Sequence, residues 1–244
     1  MTVKAGPSSI ISSPSDQARA IIAASMDDVS SFVECRFLEI CSELNINTAK
    51  ELWIDVCNLY SEPHRFYHTL NHIKEMLDLS KQYSSKLKNK TAVDLAIIYH
   101  DVIYKPMSKS NEEDSAAYFE EHFVSSVNPT LKNIVSNYII ETKKHSVSES
   151  EDEDLKLFID FDMHILAVDR EKYLVYAAQI RKEYCHVERS DYCSERAKFL
   201  QATAQSSSSI YASESYLHEG YDARAKDNLA FECAFLQSGR LAGE

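Results

Sequence analysis

Glycine is scarce in this 244-residue chain: four residues, at Gly6, Gly220, Gly239 and Gly243, about a quarter of what average composition would supply. Tight hairpins, phosphate-cradling loops and dinucleotide-binding turns all need glycine where φ is positive. Their absence argues against strands, P-loops and Rossmann-type folds together, and leaves an all-α chain. No apolar run approaches the ~20 residues of a membrane span, so no membrane partner is expected. The six cysteines (Cys35, Cys41, Cys57, Cys185, Cys193, Cys233) show no C-x-x-C spacing and follow no secretory signal, which reads as reduced thiols in a soluble, cytoplasmic protein. Basic charge is short as well: 26 Lys and Arg face 38 Asp and Glu, a net charge of −12. That balance repels nucleic-acid backbones and leaves bulk nucleic acid out as a partner. It does not exclude a small phosphorylated substrate, because a bound metal and a few local cations set the potential inside a pocket.

What is present is helical periodicity. Residues 1–15, with Pro7-Ser8-Ser9 and Ser12-Ser13-Pro14, have the composition of a disordered tail; residues 16–244 read as one all-helical domain. Val33, Phe37, Ile40, Cys41 and Leu44 form one apolar stripe, and Leu52, Val56, Leu59 and Tyr60 the next. Pro63 breaks the pattern. After it, a helix is expected to carry both His68 and His72 and to continue through Leu79. Further helices are expected over 91–101, from Ser110-Asn111-Glu112-Glu113 as a capping box, from Asn128-Pro129 to about His145, and over 154–165, 169–184, 188–205 and 219–237. The acidic run 149–154 reads as a solvated loop or an acidic first turn.

The chemistry-bearing residues cluster in three places. His100-Asp101 closes the apolar run Leu95-Ala96-Ile97-Ile98-Tyr99, where an imidazole and a carboxylate are costly to desolvate unless something pairs with them. Upstream, Arg65-Phe66-Tyr67-His68-Thr69-Leu70-Asn71-His72 sets two histidines four residues apart, on one face of a helix. Downstream, Phe158-Ile159-Asp160-Phe161-Asp162-Met163 embeds carboxylates among apolar residues. Together they offer a mixed nitrogen and oxygen donor set for a divalent metal ion such as Zn, Mn, Fe, Co or Ni.

The order His72, His100-Asp101, Asp162 in a helical chain resembles the HD superfamily of metal-dependent phosphohydrolases. The likeness extends to Tyr-His-Asp-Val-Ile-Tyr, Asn-Glu-Glu-Asp-Ser-Ala, Asp-Phe-Asp-Met-His-Ile-Leu and Ile-Arg-Lys-Glu-Tyr, over about Leu52 to Phe235, and points to a mainly uncharacterised branch of predicted HD phosphohydrolases. The resemblance implies an HD-domain helical bundle holding a divalent metal, Mg included, on His72, His100, Asp101 and Asp162. It favours Asp162 over Asp160 as the last ligand and leaves Asp160 to orient a ligating imidazole. By similarity to the Tyr-His-Asn…His segment of cyclic-nucleotide phosphodiesterases, His68 becomes the general acid. Arg65, one helical turn before His68, is placed to bind phosphate.

Two-metal HD enzymes commonly carry histidines at positions that align with Asn111 and His145. Only His145 is a histidine here, which fits one tight metal, with Glu112 or Glu113 helping a weaker second ion. Arg181 and Tyr184 reach the pocket if the likeness holds. The implied activity is hydrolysis of a phosphoester in a nucleotide or small phosphorylated metabolite. The rivals are an HD-type two-iron oxygenase, which needs more histidines, and a non-catalytic, metal-stabilised nucleotide-binding module. The sequence does not fix oligomeric state.

Overall fold

A computed structural model describes the backbone of residues 14–123, 127–144 and 150–242, with side chains from residue 28 onward. The tail reading over residues 1–13 and the assignment of His145 lie outside the described residues. Within them every regular element is helical and none is a strand, as the glycine count requires. The helices are α1 (Pro14–Glu43), α2 (Ala49–Tyr60), α3 (Leu70–Gln82), α4 (Lys90–Tyr99), α5 (Asn111–His122), α6 (Pro129–Glu141), α7 (Glu153–Asp162), α8 (Arg170–Glu183), α9 (Arg189–Ala204), α10 (Glu214–His218) and α11 (Tyr221–Gln237). Short 3₁₀ turns, Ser84–Lys86 and Met163–Ala167, follow α3 and α7.

Their buried apolar side chains form one cluster. α4 is its axis: all residues from Ala92 to Tyr99 are buried, and α1, α3, α6 and α7 pack around it. One buried carboxylate fixes part of this arrangement. Asp94 of α4 accepts hydrogen bonds from Arg36 of α1, Ser80 of α3 and Lys90, so three helices share one compensated charge. Asp154 of α7 accepts from the backbone N–H groups of Lys88 and Asn89, setting the start of α4 against α7. α9 and α11 pack on each other, and α11 also covers the 3₁₀ turn after α7.

The helix boundaries explain where the sequence expectations succeed and fail. Asn128 caps α6 through its side-chain oxygen and Pro129 occupies the first turn. Asp152, within the acidic run, accepts from the N–H groups of Asp154 and Leu155 and starts α7. Ser110 makes no capping bond; its hydroxyl donates to Asp114, so the expected capping box is absent. The helix expected over 219–237 is present as α11, starting after Gly220 at φ 71°, a conformation that disfavours a side chain; the short α10 before it was not expected.

The largest correction concerns the motif helix. α3 begins at Leu70 behind Thr69, whose hydroxyl accepts from the N–H of Asn71. Arg65 and His68 therefore lie in the turn before the helix, and the face shared by His68 and His72 does not exist.

Candidate metal centre and its surroundings

Three helix ends converge. His72 sits in the first turn of α3 and His100 directly follows α4, both almost fully buried; Asp101 is next in sequence, and Asp162 is the last residue of α7. Placing a charged group at a helix end lets a buried apolar helix deliver it to a cavity without interrupting its core face. The Nε2 atoms of His72 and His100 are 3.3 Å apart. Asp162 Oδ1 is 3.2 Å from His72 Nε2 and 3.7 Å from His100 Nε2. Asp101 Oδ2 is 3.0 Å from His100 Nε2 and 3.9 Å from His72 Nε2.

The hydrogen bonds behind the rings decide what this cluster suits. His100 Nδ1 lies 2.9 Å from the carbonyl oxygen of Ile97, an acceptor only, so Nδ1 carries a proton and Nε2 is the atom left to face His72 and Asp101, where it would offer a lone pair to a bound metal. His72 Nδ1 is 3.1 Å from the Tyr67 hydroxyl. Two imidazole nitrogens and two carboxylates then converge on one point, an arrangement stable only around positive charge. Metal–nitrogen bonds of about 2.0–2.1 Å would set neighbouring donors about 3 to 3.4 Å apart, which matches the spacing of the two Nε2 atoms. With only protons to share, burial lowers the His100 pKa, and the neighbouring Asp101 and Asp162 carboxylates overcome this and raise it well above the usual range. A His72-His100-Asp162 group that could hold a metal is thus present, with Asp101 beside it. The donor set fits a divalent ion, and Ile97 and Tyr67 act as the outer partners that fix ring orientation.

His68 reaches the same place from the preceding turn. Its Nδ1 is 2.7 Å from Glu183 Oε2, and its ring stacks on Tyr104 at 4.2 Å between centroids. Glu183, the last residue of α8, is buried and heavily bonded. Its Oε1 accepts from the backbone N–H groups of Phe66, Tyr67 and His68, and its Oε2 also accepts from the Tyr104 hydroxyl. Burial alone would raise the Glu183 pKa; His68 and the backbone donors outweigh it and lower it to about 2. Burial likewise works to lower the His68 pKa, and the charges of Asp101 and Glu183 raise it instead.

His68, His100, Asp101 and Asp162 all border a cavity of about 690 Å³. Asn111, Glu112 and Tyr184 line it too. Asn111, however, is engaged with the backbone of Lys105, accepting from its N–H and donating to its carbonyl, both at 3.0 Å. Glu113 is turned outward to Lys143 Nζ, at 2.5 Å. Arg181 donates to the carbonyls of Tyr184 and Val187 and lies over the Tyr192 ring, supporting the cavity wall from behind. Arg65 is buried, and its guanidinium donates to the carbonyls of His68, Asp101 and Val102 and to Glu62; those donors hold backbone in place of a phosphate. Asp160 accepts from the N–H groups of Ala212 and Ser213 and from the Ser213 hydroxyl. It anchors the segment before α10 and orients no imidazole.

Glu183, Tyr67 and Tyr104 lie inside motifs quoted from the sequence but were given no role there, and Arg196 was not singled out. Two of them also carry a signal in their helix register. Glu183 continues the stripe Tyr173, Ala177, Ile180 on the buried face of α8, and Arg196 lies four residues after buried Tyr192 and four before buried Leu200. A charge in register with an apolar stripe has a partner waiting inside. For Arg196 that partner is Glu232 of α11, at 2.5 and 3.1 Å.

No protein-family model, curated protein or solved structure matches the chain. Among the described residues no helix is long and apolar enough to cross a membrane, and all six cysteines are free thiols.

Proposed function

We propose that this chain is a metal-dependent phosphohydrolase of the HD type, acting on a phosphoester of a nucleotide or small phosphorylated metabolite. The observation that carries this reading is the juxtaposition, at one cavity, of the His72-His100-Asp101-Asp162 donor set with the His68–Glu183 pair. When bound, a divalent ion at such a donor set polarises a phosphoryl oxygen and makes water a usable nucleophile near neutral pH.

The chain's own residues supply the rest. The water oxygen bonds to phosphorus as the ester P–O bond breaks, and the leaving oxygen needs a proton. His68 gives it from Nε2, since Nδ1 is committed to Glu183. The Glu183 carboxylate favours the imidazolium that must precede this transfer and fixes the ring plane. Arg196, at the cavity wall and oriented by Glu232, takes the phosphate-binding part expected of Arg65. Asn111, tied to Lys105 on both faces of its amide, weighs against the two-iron oxygenase, which would need a metal ligand there.

The test is phosphate release from nucleoside mono-, di- and triphosphates, cyclic nucleotides and sugar phosphates with Mn, Co, Ni or Mg, beside Asp101→Ala. Metal-dependent release lost in the variant is the expected outcome. Silence of verified metal-loaded protein across the panel overturns the reading in favour of a non-catalytic binding module.

A further inference from the structure

A second cavity, of about 670 Å³, borders the same centre. It shares His68, Asp162, Tyr176, Arg196 and Phe199 with the first, so the acid, one metal ligand and the arginine stand at the junction of two chambers of nearly equal size. A pocket of 300–1,000 Å³ already encloses a small ligand, and a phosphomonoester, which has one arm, needs only one of them. We propose that the substrate has an arm on each side of the scissile phosphate: a phosphodiester or diphosphate diester with an aromatic, nucleoside-like arm in the first chamber and a polar, hydroxyl-bearing arm in the second. This rests on the phosphohydrolase reading.

The linings assign the arms. The first chamber presents the rings of Tyr104, Tyr184, Tyr192 and Phe199 with the carboxylates of Asp191 and Glu195. Flat rings suit a base, and carboxylates accept from sugar hydroxyls or exocyclic amines while repelling a further phosphate. The Tyr192 hydroxyl, buried there and without a hydrogen-bond partner among the described residues, is the group such an arm would satisfy. The second chamber is lined differently: Lys143, Lys144, Thr203, Ser206, Ser208 and Ser209 form a polar rim, and Met163, Ile165, Leu166, Leu200 and Ile210 an aliphatic wall. Its serine loop is fixed from below, with Lys226 donating to the carbonyls of Ser206 and Ser208 and the Ser209 hydroxyl donating to Asp222. Such a surface offers hydroxyls and a cation to a sugar-like group and has no aromatic platform beyond the shared residues and Tyr67.

The experiment compares ADP with ADP-ribose, which share the adenosine and the diphosphate and differ in the second arm. Calorimetric titration of full-length, metal-loaded protein reads binding without requiring turnover. Ala202→Trp, at an exposed position on the second chamber, and Glu195→Trp, at an exposed position on the first, fill one chamber each with little risk to the core; thermal melts check that each folds. ADP-ribose is expected to bind about ten-fold or more tighter than ADP. Ala202→Trp should abolish that advantage and leave ADP unchanged, whereas Glu195→Trp should weaken both. Equal affinities, an advantage that survives Ala202→Trp, or failure of both ligands to bind overturns the proposal. Turnover is scored separately: the binding pattern without hydrolysis of any phosphoester or of the P–O–P bridge sinks the hydrolase reading and leaves a two-armed site, while cleavage of monoesters with equal affinities does the reverse.

Discussion

His68 and Glu183 stand 115 residues apart in sequence and 2.7 Å apart in space, Nδ1 to Oε2. The carboxylate holds the imidazole by its ring and, through three successive backbone N–H groups, by the turn that carries it. Glu183→Gln should therefore retain metal and lose about 10- to 100-fold in kcat, with the limb of the pH–rate profile that reports the acid shifted to lower pH. His68→Ala should lose about 100- to 10,000-fold. An unshifted profile in the glutamine variant would reduce Glu183 to a structural prop.

The same carboxylate has a stability signature. Its pKa is about 2 in the folded chain, against 4.5 ordinarily, so the unfolded chain binds the proton first on acidification. The contribution is complete above about pH 4.5 and lost as pH falls toward 2, to about 3 kcal/mol at 1.36 kcal/mol for each pH unit separating the two. Urea midpoints at pH 5 and pH 2.5 should converge between the wild type and Glu183→Gln; curves that stay parallel would contradict this.

Metal content gives a check independent of catalysis. Protein reconstituted and desalted should hold about one divalent ion per chain by elemental analysis, and His100→Ala or Asp162→Ala should hold almost none. Tyr67→Phe removes the hydroxyl beside His72 Nδ1 and should weaken metal affinity by about 10- to 100-fold. A wild type that takes up no ion would leave the imidazoles to share protons with Asp101 and Asp162.

Arg65 makes a separate case. Its substitution by Met leaves the carbonyls of His68, Asp101 and Val102 without their donor, and stability should fall by about 2–4 kcal/mol in denaturant unfolding. Arg65→Lys should recover little, since one ammonium does not reproduce the forked geometry. A variant as stable as the wild type would return Arg65 to the role of a ligand-binding cation.

The convergence of His72, His100 and Asp162 was foreshadowed in part, because His100 and Asp162 are polar residues closing apolar stretches, and a buried polar group signals a partner. The helical class was readable from the four glycines. The roles of Arg65 and Asp160 were not, because a donor's or acceptor's partners depend on which distant backbone arrives beside it: Asp160 meets Ser213, 53 residues on. Treating His68 and His72 as one helical face failed at a single residue. Thr69 caps α3 where continued helix was assumed, and a helix start moves with such local competition between side chain and backbone.

Asp162 closes the donor set and Glu183 closes the support of His68, yet both come from the second half of the chain, while His68, His72, His100 and Asp101 come from the first. A ribosome that has delivered residues up to 144 has made most of the ligands and none of the closure. An ion held here would thus be a seal set late in assembly: it could be held at full strength only after α7 has docked on α4, so its occupancy would record that the two halves of the chain have met.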